Sequence, residues 1–379
     1  MKQLSRLQKI LLITAAIAAG AAVLIMLFWQ QIANFTLRPT DSPLPTSTTT
    51  ISEGDFRTVA TDMVTPWAIG FLPDGDLLVT ERSGQVQRIG NDGGIYAIEG
   101  VRETSEGGLL GVALHPDFAQ NKYVYLYSTT DTGGTLTNRI ERYQLNGREL
   151  RNRTEIMAGI PASANHDGGA LAFGPDDKLY VTTGDAGNEN ASQDRQSLAG
   201  KILRINPDGS IPNDNPLNSA VWSYGHRNPQ GIAWDQEDRL WATEHGRSGI
   251  QSGYDELNLI EKGANYGWPI IEGGETREGM KTPILHSGAN DTWAPGGLAY
   301  ADGSLYFTGL RGETLYRAKI NSDSTVSLTR YFSGQHGRLR AVAIRNDELY
   351  FSTSNRDGRG SPASGDDHIY AVPLRLLNG

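Results

Sequence analysis

The chain has 379 residues, 38% of them hydrophobic and 20% charged, which is enough for one large domain or two ordinary ones and too apolar for a disordered protein. A net charge of -9 excludes a chain built to neutralise nucleic-acid phosphates. The absence of cysteine excludes a disulfide framework and a thiolate nucleophile.

At the amino terminus, Lys2, Arg6 and Lys9 precede an uncharged run over residues 10–29, long enough to cross a bilayer as a helix. Basic residues on the short side hold residues 1–9 in the cytoplasm and send the remainder across. A cleaved secretory signal is the alternative, but its apolar core is usually shorter, about 7 to 15 residues. With bulky Leu27, Phe28 and Trp29 closing the run, an uncleaved anchor is expected. Residues 30–54 are rich in Pro, Ser and Thr and too poor in apolar side chains to bury a core, so they read as a tether.

From residue 55 to 379 one pattern keeps returning: an apolar residue, a short Pro, Asp, Gly or Asn turn, then an alternating strand. Its six copies are FLPDGDLLVT, LHPDFAQNKYVYLYS, FGPDDKLYVTTG, AWDQEDRLWATEHG, AYADGSLYFTGL and AIRNDELYFSTS. Such a period gives one four-stranded blade per copy, and hence an all-β, six-bladed propeller. One hairpin cannot bury both faces, whereas radial stacking buries each blade against the next. A two-layer sandwich would repeat every 8 to 12 residues instead.

Ligands of a propeller sit at one mouth of its axis, so polar residues flanking each hairpin should converge there. In chain order these are Glu106 before two glycines, His166 between Asn165 and Asp167, Arg227 and Asn228 before Pro229, then Arg311, Arg338 and Arg340. A free imidazole can accept a proton near neutral pH, and arginines hold carboxylates or oxygens gaining charge with two donors at once. The set implies an anionic ligand despite the acidic whole. Asp255, Glu256, Asn258, Asn265 and Tyr266 offer hard oxygen atoms suited to Ca2+, or a plain charged turn. The 184–188 stretch lacks EF-hand spacing and reads as a loop.

Long motifs in one order, among them EGGLLGVALHPDF, NHDGGALAFGPDDKLYVTTGD, YGHRNPQGIAWD, DELNLIEKGANYGWP and GRLRAVAIRNDELYFSTSNRDGRG, resemble the soluble glucose and sorbosone dehydrogenases, or aldose sugar dehydrogenases. The resemblance implies a propeller that uses pyrroloquinoline quinone and calcium to oxidise the anomeric carbon of an aldose to a lactone. It puts His166 at the general base and Arg227 at the arginine facing the quinone oxygen. Glu106, Asn165, Asn228, Arg311, Arg338 and Arg340 fall at cofactor contacts, Gly246 and Arg247 at carbonyl ligands of an active-site calcium, and Glu256 and Tyr266 at ligands of a second one. Glu106 stands where characterised members carry Gln, Asn165 where they can carry Asp, and Arg311 where they carry Lys. The added charge of Glu106 beside an anionic cofactor calls for compensation by calcium or an arginine. Electrons would pass on to a membrane quinone or a small carrier. A non-catalytic carbohydrate- or protein-binding propeller with a decayed cofactor site, and a calcium-dependent lactonase, are the competing readings.

Overall fold

The computed structural model describes residues 46–249, 252–321 and 325–378. The apolar run at 10–29, read above as an anchor, lies outside the described residues. Six sheets follow one another along the chain, antiparallel but for one added edge strand, and four of them are built wholly from consecutive strands. Each recurrent hairpin supplies the inner two strands of one blade. The innermost strands are Pro66–Phe71, Leu109–Leu114, Leu171–Phe173, Pro229–Trp234, Pro295–Ala301 and Leu339–Arg345, and their hairpin partners begin at Leu77, Tyr123, Leu179, Leu240, Ser304 and Glu348.

The sixth blade closes the ring across the whole domain. Its outermost strand, Arg57–Ala60, comes from the start of the domain and pairs antiparallel with Ile369–Pro373 near its end. The fifth blade takes an extra strand too, Thr46–Thr49, which runs parallel to Val326–Tyr331. The tail of the Pro/Ser/Thr stretch is therefore docked rather than free, with Ile51 buried beside it. Threonine is β-branched and serves an edge strand even where it can bury no core.

Between blades the alternating side chains form dry clusters; Leu110, Tyr127, Val181 and Leu203 share one between the second and third blades. Turn acids do more than bend the chain. In the first blade Asp76 binds Arg88 of the third strand at 2.7 Å, and in the third blade Asp176 binds Arg204 at 2.8 Å. Each paired carboxylate locks the outer half of its blade to the hairpin tip. The stretch LAGKILRINPDGSIP, whose Asp208-Gly209 pair is a strong hairpin-turn signal, forms only one strand, Lys201–Ile205, and the chain rejoins the sheet at Val221–Tyr224.

One consequence of this topology positions the site. An innermost strand runs antiparallel to the second strand of its own blade, so its start and its partner's end lie at the same rim. Glu106, His166, Arg227 and Arg338 precede innermost strands; Asp185, His245 and Arg311 follow second strands. All seven arrive at one mouth of the axis.

Candidate active site

That mouth holds a cavity of about 320 Å³, bordered by Glu106, Asn165, His166, Arg227, Arg311 and the pair Arg338 and Arg340. Gly246 and Arg247 also border it. Nine of the twelve residues to which the resemblance assigns a role thus share one pocket.

His166 sits in a left-handed backbone conformation, φ 63°. Its amide donates to Glu106 Oε2 at 3.0 Å, and its carbonyl accepts the Ala186 amide at 3.2 Å. The strand end is close enough that a Cβ at Gly184 would collide with the His166 carbonyl, so glycine is required there. The ring is oriented by Asp185, whose Oδ1 lies 2.7 Å from Nδ1. This leaves Nε2 as the ring nitrogen for the cavity. Burial opposes charge on Asp185, but the contact with His166 and the amide of Gly187 outweigh it and hold this carboxyl below its usual range.

Arg227 is buried, with NH2 on Ser248 Oγ at 3.0 Å and its guanidinium 5.3 Å from the centre of the Trp268 ring. Burial pulls its pKa down, opposed by Asp185 and Glu106. Nε and NH1 of Arg227, Nε of Arg340 and Nε2 of His245 are buried without a partner among the described residues. Native proteins rarely leave such polar atoms unmatched, so four of them around one cavity mark the places of a polar ligand. Arg340 also binds Gln230 Oε1 at 3.0 Å, and Arg338 binds Asp357 at 2.8 Å. Burial lowers Arg340 to about 10 and His245 to about 3, so at neutral pH the arginine is charged and the histidine is not.

Glu106 has its counter-ion. Arg359 NH1 donates to Glu106 Oε1 at 2.8 Å. Burial would raise the Glu106 carboxyl, yet His245, the His166 amide and Arg359 together bring it down to about 2. The compensation that the sequence demanded comes from an arginine in the NRDGRG stretch. Arg311 is exposed at the rim and donates to Ser252 Oγ at 2.9 Å.

The remaining three residues lie elsewhere. Asn228 is buried behind the His166 loop, where its Oδ1 accepts the Gly168 amide at 3.0 Å, and it does not border the cavity. Glu256 and Tyr266 meet at a second, much smaller cavity shared with Glu244 and Glu272. Burial and the neighbouring Glu244 push Glu256 above the usual carboxylate range, the state of a carboxylate short of positive charge. Among the described residues, no three His, Asp or Glu side chains are grouped as a metal site. A calcium ion in the main cavity would therefore rest on backbone oxygen: no donor among the described residues reaches the Gly246 carbonyl, while the Arg247 carbonyl accepts the Gly253 amide at 3.3 Å.

Sequence reasoning passed over Asp185, His245 and Arg359, although all three lie inside motifs quoted above. Their common signal is position, at or soon after the end of a second strand, the rim already marked by Arg311.

Comparison with known proteins fits this geometry. The family described as glucose / sorbosone dehydrogenase matches residues 63–362. Quinoprotein glucose dehydrogenase B of Acinetobacter calcoaceticus is 33% identical over 274 residues, covering 62% of this chain and 56% of that protein, so the match spans little more than half of that relative. Aldose sugar dehydrogenase YliI of Escherichia coli is 31% identical over 331 residues, covering 77% of this chain and 88% of that protein. The PQQ-bound aldose sugar dehydrogenase of Streptomyces coelicolor has the same fold, with TM-score 0.78 and 42% identity over 84% of this chain and 96% of that one.

Proposed function

This chain belongs to the glucose and sorbosone dehydrogenase family, and we propose that it is a quinoprotein that oxidises the anomeric carbon of an aldose to a lactone. One observation carries the reading: a histidine oriented by a buried carboxylate opens into a cavity where guanidinium donors lie buried and unmatched.

The residues present fit pyrroloquinoline quinone, a flat tricarboxylate. Arg338, Arg340 and the rim Arg311 are the groups for its carboxylates, and the unpartnered nitrogens of Arg227 and His245 suit its ring oxygens. When bound, the quinone supplies the acceptor for the sugar's hydride. The protein's own work is proton transfer and electrostatics. His166 takes the anomeric hydroxyl proton on Nε2, and Asp185, on Nδ1, keeps the ring in that tautomer and stabilises the imidazolium that results. With the proton gone, the C1–H pair of electrons leaves as hydride and the C1–O bond becomes the lactone carbonyl. Arg227, already desolvated, offers fixed N–H groups to negative charge as it develops.

Calcium would be held in the main cavity by the carbonyls of Gly246 and Arg247 together with the cofactor, and a second ion by Glu256 and the Tyr266 carbonyl. Asn228 acts from behind, fixing the Gly168 amide. The uncharged run 10–29 supports a membrane anchor with the propeller outside the cytoplasm, where a membrane quinone or a small carrier takes the electrons.

Reconstitution of the purified chain with pyrroloquinoline quinone and Ca2+, followed by dye reduction with a panel of aldoses, tests the assignment. Sugar-dependent dye reduction is expected. Tight cofactor binding without turnover on any aldose would defeat the proposed reaction, and no cofactor binding at all would leave the decayed, purely binding propeller.

A further inference from the structure

We propose that Glu106 and Arg359 form a positioning pair that fixes the base-bearing loop, so that Glu106 acts on His166 rather than on the cofactor. The inference rests on His166 being the base.

A non-glycine residue at φ 63° carries strain of about 1–3 kcal/mol and persists only where its surroundings over-determine it. Glu106 restrains the amino side of His166 directly, through the bond from the His166 amide to Oε2. Its other oxygen is taken by Arg359. The same guanidinium places NH2 3.2 Å from Ser105 Oγ and 3.1 Å from Asn165 Oδ1. These are the residues just before Glu106 and just before His166. The contacts close a circuit: carboxylate to His166 amide, along the chain to Asn165, across to Arg359, and back to the carboxylate. With both oxygens committed, Glu106 cannot swing inward to serve as a neutral amide would.

Arg359 is itself built in. It reaches the circuit from the sixth blade, 253 positions from Glu106. Its amide donates to Asp357 Oδ1 at 2.9 Å, and the other oxygen of Asp357 accepts Nε of Arg338 at 2.8 Å. A cavity arginine and the clamp on the base therefore share one carboxylate. Farther back, Asn355 is tied to Asp366 and Asp367. Since half of the Arg359 side chain is solvent-exposed, a pair of no functional consequence would contribute little. Here the two guanidinium nitrogens, NH1 on Glu106 and NH2 on Ser105 and Asn165, together select the orientation of a strained loop.

The test compares Arg359→Gln, Glu106→Gln, the double variant and Arg359→Lys with the wild-type holoenzyme. Each Gln single variant should lower kcat by about 10- to 100-fold while KM for the sugar and quinone affinity by calorimetry stay within about threefold, because misplacing a base costs the chemical step. The double variant should be no worse than the poorer single, since one circuit is broken once. Arg359→Lys should recover part of the loss by keeping the charge. In the cofactor-free protein, hydrogen exchange of the peptide containing the His166 amide should speed up in Arg359→Gln and stay unchanged elsewhere in the propeller. Multiplying losses in the double variant, or an effect confined to quinone affinity, would overturn the pairing. Unaltered exchange at His166 would overturn it as well, even for a wild type that oxidises no sugar, a result that would count separately against the reaction.

Discussion

Asp185 holds the His166 ring from a fully buried position, with Oδ1 2.7 Å from Nδ1, while the Gly187 amide donates to the same oxygen and the Trp268 indole to the other at 3.0 Å. A carboxylate this well supplied stays ionised and accepts from Nδ1–H, which dictates the tautomer with Nε2 free for a proton. Asp185→Asn keeps the shape but can present an N–H to Nδ1, favouring the opposite tautomer. We expect kcat to fall by about 10²- to 10⁴-fold with quinone binding intact, the range set by a general base and its orienting acid. Stopped-flow reduction of the bound cofactor by sugar reads this step directly, and an unchanged rate would remove Asp185 from the mechanism.

Arg227 offers a second test, of geometry rather than charge. Its backbone amide donates to Glu244, and its guanidinium is fixed by Ser248 and Trp268 with two nitrogens left over. Lysine preserves the positive charge but exchanges a rigid fork for a point charge on a flexible stem. Arg227→Lys should lower kcat by about 10²- to 10³-fold, the cost of one preorganised donor at a developing negative charge. Retention of full activity would show that only the charge matters at this position.

Arg340 should report on binding instead. It lies buried against Gln230 and the Trp67 ring with Nε unmatched. Loss of a hydrogen bond from a charged group costs about 1.5–3 kcal/mol, so Arg340→Met should weaken quinone affinity by roughly 10- to 100-fold. Isothermal titration with the cofactor at fixed Ca2+ measures it. Undiminished affinity would take Arg340 out of the cofactor site.

The division between what could and could not be read from sequence has a physical basis. Hairpin signals are local: turn chemistry and alternation sit within about a dozen residues, so all six inner hairpins, and with them the propeller, were legible. Closure was not, because Arg57 pairs with Ala371 and nothing near either residue encodes the other. The same holds for Thr46 opposite Leu328, hidden in a stretch whose composition speaks only of its inability to form a core. In the site, His166 and the arginines stood out because each flanks a hairpin, where loops at a propeller mouth meet. Asp185 and Arg359 did not, since GDAG and NRDGRG read equally well as turns. Counting from strand ends would have found Asp185 and His245, whereas Arg359 reaches Glu106 only through the closed ring.

Lys201 provides a test independent of the active site. It is fully buried, and its Nζ donates to three carbonyls, those of Ala191, Ser192 and Ala199, with no carboxylate among the described residues in contact. Burial lowers its pKa to about 8 from 10.5. Below pH 8 the amine is charged in both folded and unfolded chains, and the full cost of burying the charge applies. Between pH 8 and 10.5 the folded protein releases this proton while the unfolded chain keeps it. The unfolded state then binds more protons, so this group makes stability rise with pH, by about 3 kcal/mol across the whole window. Lys201→Met removes the titration, though it also leaves three carbonyls short of a donor and should be less stable at every pH. The decisive quantity is the slope: between pH 8 and 9.5 the difference in unfolding free energy between wild type and Lys201→Met, measured by urea titration, should widen in favour of wild type. Parallel curves would mean that the lysine keeps its proton in the fold, and that the three carbonyls alone offset its burial.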